Sequence, residues 1–361
     1  MHMKRFLTQA FLFLVAILGG NACSDVAEPQ PETDPEIRGA DLSFLPEIRQ
    51  SGQTFYNALG QPEDMLHTLK NAGANVIRLR LWKKPASPTS GLVHVKQLAQ
   101  EIHEAGLQVL LSVHYSDTWA DPAHQTMPAQ WENIPFTALQ DSVYQYTKHI
   151  MAEIKPDYIQ IGNEINHGFL WPQGDYQHPE QQKALLRQGI SAVRAAQIKT
   201  KIILHYAGTD GADYFLNQVR DLDYDVIGLS FYPIWHGKDL DLMRQQLTTL
   251  SDQFQKPVLI VETSYPFSLG WNDWTNNVLG RSNQLLPNDP ATPQGQRDYL
   301  MKIAEIMRAL PNGLGFCYWG GEWVSYKGNQ STDGSSWENQ ALWDFENKAV
   351  PALEAFQKPM L

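Results

Sequence analysis

Short apolar runs alternate with longer amphipathic stretches along most of the chain. Runs at 40–44, 75–82, 108–114, 158–162, 201–205, 226–231, 258–262 and 314–319 have the length and residue types of strands. Between them, 62–72, 93–105, 136–155, 184–196, 239–254 and 294–310 repeat apolar residues at helical spacing, and shorter helices are predicted at 212–219 and 350–356. Segments such as Val109-Leu110-Leu111-Ser112-Val113 and Val258-Leu259-Ile260-Val261 are almost continuously apolar. Parallel strands covered on both faces have that character. Eight strand–helix units in about 320 residues predict an α/β chain folded as a single (β/α)8 TIM barrel with long βα loops. An open doubly wound sheet fits less well, because no glycine-rich phosphate loop follows the first strand. No internal repeat or second domain is visible.

A barrel of this kind gathers functional side chains at the carboxyl ends of its strands, and the polar residues of this chain concentrate there. The second strand ends Arg78-Leu79-Arg80-Leu81-Trp82, with both arginines on one strand face by the two-residue period. The third ends in His114 and runs on to Asp117, the fourth in Gly162-Asn163-Glu164 and the fifth in His205. The sixth runs into Tyr232, the seventh ends in Glu262 and the eighth in Trp319. The eleven tryptophans also fall at strand ends or in long loops, outside the helical patterns. Aromatic faces gathered on one rim suit the apolar C–H faces of sugar rings.

Glu164 and Glu262 close the fourth and seventh strands, on opposite sides of an eight-stranded ring. Hydrolysis of a glycosidic bond uses two carboxyl groups, about 5–5.5 Å apart in retaining enzymes. A glutamate after Val258-Leu259-Ile260-Val261 faces desolvation unless positive or hydrogen-bonding groups support it. Arg78 can supply the charge and Tyr232 a hydroxyl. Asn163 can offer its amide to a sugar hydroxyl.

Composition narrows the partners. Hydrophobic residues make up 43% of the chain and charged residues 19%, which suits a packed globular protein rather than a disordered one. The formal net charge of −11 argues against nucleic acid or an anionic membrane surface as partner, and leaves a neutral glycan open. Cys23 and Cys317 are the two cysteines, too few for a disulfide framework or a cysteine-based metal site.

Lys4 and Arg5 precede an apolar stretch at 6–17, the layout of a signal peptide and too short to span a bilayer. Gly19-Gly20-Asn21-Ala22 lead into Cys23. This resembles a bacterial lipoprotein cleavage site, although Gly20 stands where leucine is usual; plain secretion with cleavage near Ala22 is the alternative. Residues 25–36 carry three prolines and five acidic residues, a composition expected of a tether. The expected organisation is therefore a signal peptide at 1–22, a lipid-anchored tether at 23–36 and a catalytic barrel at 37–361. The expected location is the outer membrane of a Gram-negative cell, on its surface or periplasmic face, with the lipid on Cys23 as the only membrane contact and a monomer as the working state.

Several strand-end motifs are long enough to carry a resemblance. They include His114-Tyr115-Ser116-Asp117-Thr118-Trp119-Ala120-Asp121-Pro122, Gln160-Ile161-Gly162-Asn163-Glu164, Leu229-Ser230-Phe231-Tyr232-Pro233-Ile234-Trp235-His236-Gly237 and Glu262-Thr263-Ser264-Tyr265. In this order they resemble the endo-β-1,4-galactanases of glycoside hydrolase family 53. The resemblance implies retaining endo-hydrolysis of the β-1,4-galactan side chains of pectin, with no required cofactor. It implies Glu164 as acid/base and Glu262 as nucleophile. Arg78, Arg80, His114, Asp117, Trp119, Asn163, His205, Tyr232, His236, Trp319 and Trp343 are the expected substrate-binding residues. Two departures stand out. The eighth strand continues Trp319-Gly320-Gly321-Glu322-Trp323, where the family often has Trp-Glu-Pro-Ala-Trp. The loop in which many bacterial members bind calcium keeps only Asp273 and Asn277 of that pattern, a thin set for an ion that takes six or more oxygens. Two other functions fit parts of the sequence: a related barrel hydrolase acting on mannan or glucan, and a non-catalytic surface glycan-binding lipoprotein.

Overall fold

The computed structural model describes residues 36–358, which fall in one compact unit. The expectations for the signal peptide, the lipid on Cys23 and all of the tether except Glu36 lie outside the described residues.

The eight strands are β1 (Ile37–Asp41), β2 (Val76–Leu81), β3 (Gln108–Val113), β4 (Tyr158–Ile161), β5 (Lys201–Ala207), β6 (Val226–Ser230), β7 (Val258–Thr263) and β8 (Gly313–Tyr318). They close into a barrel in chain order, and every neighbouring pair is parallel. The helices are α1 (Leu45–Gln50), α2 (Met65–Ala72), α3 (Leu92–Glu104), α4 (Phe136–Glu153), α5 (Pro179–Ala195), α6 (Ala212–Gln218), α7 (Pro233–His236), α8 (Leu240–Phe254) and α9 (Pro293–Ala309). Their starts follow local chemistry. The Asp239 carboxylate caps α8 by accepting from Leu242 N, and Thr292 caps α9 by accepting from Gly295 N, with Pro293 at the first position.

Three differences from the sequence expectation have a clear local cause or character. The first strand ends at Asp41 rather than running over 40–44, because the Asp41 carboxylate accepts from Ser43 N at 2.8 Å and turns the chain toward α1. The helix expected at 184–196 begins earlier, at Pro179, a residue suited to a first turn. The last segment is a 3-10 helix, Pro351–Phe356.

The two-residue period of each strand divides its side chains. One set, including Ile77, Leu79, Val109, Leu111, Ile159 and Ile161, packs outward into the large core under the helices. The other set points into the barrel. Its lower layer is apolar: Ile37, Val76, Leu110, Tyr158, Ile203, Val226, Leu259 and Leu314. Two residues further along five of these strands stand Arg78, Ser112, Gln160, His205 and, after Gly228, Ser230, all buried. A greasy floor thus carries a polar layer, and the polar layer faces the mouth.

The strand β7 breaks this regularity. Leu229 pairs with Ile260, but Ser230 pairs with Glu262, so β7 holds one extra residue at this point. Its pairing with β8 shifts over the same stretch. Such a bulge re-aims the side chain that follows it. Leu259 and Val261 face the barrel interior, and Glu262, the next residue, also lines the cleft.

Candidate active site

Arg78 organises the floor of the mouth. It is fully buried, so its charge and its N–H groups must be met by protein. Nε donates to Gln160 Oε1 (2.8 Å) and Nη1 to Asp41 Oδ2 (3.1 Å). Nη2 donates to Glu262 Oε1 (2.6 Å), Asn163 Oδ1 (2.9 Å) and Ser112 Oγ (3.2 Å). The other Glu262 oxygen accepts from the Tyr232 hydroxyl at 2.9 Å. Burial raises the Glu262 carboxyl, and Arg78 and Tyr232 pull it back toward the ionised form. A short charge-assisted bond to a permanent cation makes Glu262 the anion of the site.

Glu164 stands across from it on a strained turn. After β4 the backbone passes through Gly162 at φ +87° and Glu164 itself at φ +48°. A side chain at Gly162 would lie 2.6 Å from Ile165 Cγ2, so the turn needs glycine there. A positive φ at a glutamate costs on the order of 1 kcal/mol or more and persists only where the surroundings enforce it. Here the turn aims the carboxyl into the cleft. The Ser230 hydroxyl donates to Oε1 at 2.6 Å. The side chain is half-buried in the cleft wall, and desolvation, followed by the charge of Glu262, pushes the Glu164 carboxyl up. The two carboxyls therefore hold opposite protonation states near neutral pH, a proton donor facing an anion.

The walls supply neutral donors and aromatic faces around a cleft of about 470 Å³. Burial holds His114 far below its ordinary value, and its Nδ1 accepts from Trp82 Nε1 and Ala120 N. Burial likewise brings His236 down to about 4, and its Nδ1 accepts from Tyr232 N. Each neutral ring thus keeps its proton on Nε2. An aromatic wall runs from Trp235 to Trp337 (6.1 Å), Trp319 (4.6 Å) and Trp323 (5.8 Å), and Trp323 stacks on Phe44 at 4.3 Å. Arg80 is caged by Phe44, Trp82 and Trp119, with ring centroids 4.1–4.6 Å from its guanidinium carbon. Burial lowers Arg80 to about 10, which leaves it charged at neutral pH.

The altered segment after β8 has a clear local role. Glu322 Oε1 accepts from Phe44 N at 2.8 Å and ties this loop to the one after β1. Gly320 sits at φ +68°, and a side chain there would meet the Trp337 ring at 2.7 Å. The glycine lets that indole close over the site.

Of the residues expected at the site, Arg78, Arg80, His114, Trp119, Asn163, Glu164, Tyr232, His236, Glu262 and Trp319 line this one cleft. Three others lie elsewhere. Trp343 is buried in the core against Phe55, out of reach of a ligand. Asp117 braces two loops by accepting from Lys84 N and Ala129 N. His205 lies fully buried beneath the cleft and reaches Glu164 through Ser230. The calcium candidates Asp273 and Asn277 both lie beside Glu338. The Asp273 carboxylate accepts from Thr275 N and Ser335 N, and the Asn277 amide donates to Gly270 O. Among the described residues no group of three or more His, Cys, Asp or Glu is placed to hold a metal ion. Sequence reasoning left Asp41, Gln160, Ser230, Trp235, Trp323 and Trp337 without roles. The period-two face through Val226 and Gly228 was the available signal for Ser230.

Residues 37–356 match the family model described as Glycosyl hydrolase family 53. The chain is 34% identical to the arabinogalactan endo-β-1,4-galactanase of Cellvibrio japonicus, over 98% of this chain and 97% of that protein. It is 32% identical to the endo-β-1,4-galactanase of Bacillus subtilis, over 89% and 85%. Among solved structures, the family 53 catalytic domain of Ignisphaera aggregans superposes with a TM-score of 0.84 at 34% identity, covering 90% of this chain and 98% of that one.

Proposed function

Since the chain belongs to glycosyl hydrolase family 53, we propose that it is an endo-β-1,4-galactanase that cuts galactan with retention, using Glu262 as nucleophile and Glu164 as acid and then base. Endo-hydrolysis of β-1,4-galactan follows from the family and from relatives that carry this activity in their names along nearly the whole chain. The observation that supports the residue assignment is the opposite environment of two carboxyls in one cleft. Glu262 is held ionised by Arg78 and Tyr232, while Glu164 has one serine donor and a raised affinity for its proton.

In the first step Glu262 attacks the anomeric carbon as Glu164 gives its proton to the departing glycosidic oxygen. A galactosyl ester on Glu262 results, and the far side of the polymer leaves as an alcohol. Glu164, now a carboxylate, takes a proton from water as that water attacks the anomeric carbon, which frees Glu262 and restores the acid. His114 and His236 offer Nε2–H to sugar hydroxyls, and the second Asn163 amide hydrogen is free of Ala120 O.

The test is parallel incubation of residues 37–361 with linear β-1,4-galactan, β-mannan and β-glucan, following product sizes. Short galacto-oligosaccharides from galactan alone support the reading. Release from mannan or glucan instead, or galactan binding with no release, overturns it. Export and a lipid on Cys23 are further parts of the proposal, supported by Lys4 and Arg5, the apolar stretch at 6–17 and the small residues before Cys23. Palmitate labelling lost in Cys23→Ser supports the anchor, and equal labelling of both forms refutes it.

A further inference from the structure

We propose that Gln160, His205 and Ser230 are positioning residues that place the acid proton of Glu164 on Oε2. This rests on Glu164 as the acid. The argument follows the direction of each hydrogen bond, beginning at a group that can only donate. Arg78 Nε donates to Gln160 Oε1 at 2.8 Å, which fixes the amide and turns Gln160 Nε2 toward His205 Nδ1, also at 2.8 Å. The backbone N–H of Glu164 points at the same Nδ1 at 3.4 Å. Two donors therefore meet Nδ1, and it carries a lone pair. Asn163 Oδ1 lies 3.1 Å from Nδ1 but already accepts from Arg78 and Ser112. The imidazole proton is then on Nε2 and goes to Ser230 Oγ at 2.8 Å. Ser230 has accepted, so its own proton goes to Glu164 Oε1 at 2.6 Å. In a neutral carboxyl the carbonyl oxygen is a far better acceptor than the hydroxyl oxygen, so a short bond accepted at Oε1 makes Oε1 the carbonyl. The acid proton is left on Oε2.

Gln160, His205 and Ser230 are each wholly shielded from solvent, so bulk water cannot reverse the chain. No proton travels along it; each stays on its own residue. The charged and titratable groups around Glu164 are consistent with this order. Glu262 and Asp121 are its anionic neighbours and Arg78 its cationic one, while burial keeps His205 neutral and the Tyr232 hydroxyl protonated.

Two experiments test the proposal. Nitrogen-15 NMR of the ring of His205 in the intact protein should show an unprotonated Nδ1 and a protonated Nε2 from pH 5 to 8. A protonated Nδ1 would overturn the proposal, whatever the role of Glu164. The second is Ser230→Ala, checked by its melting temperature. Loss of a donor to the carboxylate should move the alkaline limb of kcat/KM upward by on the order of one pH unit. Turnover of galactan should fall about 10-fold, with a smaller loss on an aryl galactoside whose leaving group needs little acid help. Ser230→Thr, which keeps the hydroxyl, should keep the wild-type limb. Equal losses on both substrates with unmoved limbs, or no change at all, would refute the positioning role. If Glu164→Gln retained wild-type turnover, the acid assignment would fail while the NMR result stood, so the two failures are distinguishable.

Discussion

Glu164 and Glu262 are the same residue type in one cleft, and their partners make them different. Under the proposed assignment the difference gives activity two pH limits. Glu262 must be ionised, so kcat/KM falls as pH drops through its value. Glu164 must be protonated, so kcat/KM falls as pH rises through its raised value. A pH–rate profile should therefore be a bell whose alkaline limb lies well above the ordinary carboxylate range, and an alkaline limb near 4–5 would contradict it. Arg78→Lys keeps a charge but cannot fork to Asp41, Asn163 and Glu262 together. It should move the acidic limb upward and lower kcat/KM by about 100-fold or more; a profile that matches wild type would remove Arg78 from this role. Glu262→Ala should abolish turnover on polymer and aryl galactoside alike, and azide should restore activity with an inverted glycosyl azide product. Glu164, Glu262, Arg78 and Tyr232 were legible as polar residues placed at strand ends. Asp41, Gln160 and Ser230 were not, because their importance lies in whom they touch across the barrel and not in their own strand.

At the scale of elements, all eight strands were visible as apolar runs, most to within one or two residues. The end of β1 was missed because a single Asp41–Ser43 contact turns the chain, and apolar Leu42 and Phe44 continue the pattern past it. The extra residue in β7 was invisible for a different reason. Register is a relation between neighbouring strands, and Val258-Leu259-Ile260-Val261 reads as regular by itself. The loop after β8 carries a prediction of its own. Glu322 is buried with Oε2 lacking a hydrogen-bond partner among the described residues, and burial raises its carboxyl far above the ordinary value. Its proton is bound more tightly in the folded state, so wild-type stability falls as pH rises above the ordinary carboxylate value. Glu322→Gln has no proton to keep. It should raise Tm by a few degrees at pH 8, with the gain shrinking toward pH 4. A gain independent of pH would show that Glu322 does not carry this dependence.

Across the whole molecule, one face carries the chemistry. The rim tryptophans Trp119, Trp235, Trp319, Trp323 and Trp337 line a single cleft, while Trp131 and Trp343 are spent on packing. The clustering of tryptophan in loops was legible, but which of them pack inward was not, since Trp323 and Trp343 both lie in the long segment after the last strand. Trp235 is 55% exposed at the outer end of the wall, so its removal should leave the fold intact. Trp235→Ala should raise KM for galactan about 10-fold, an amount suited to the loss of one stacking face, with a smaller effect on an aryl galactoside. Equal effects on both substrates would place Trp235 at the bond being cut rather than along the polymer.

The acceptors of Arg78 come from the first, third, fourth and seventh strands and the turn after the fourth, so no short fragment of the chain can satisfy it. A half-barrel that collapsed early would enclose a guanidinium missing the Glu262 carboxylate, a penalty of several kcal/mol. The residue that holds Glu262 should therefore also penalise incomplete closure during folding. Partial closures are disfavoured, and the ring becomes stable only when its last quarter arrives with Glu262.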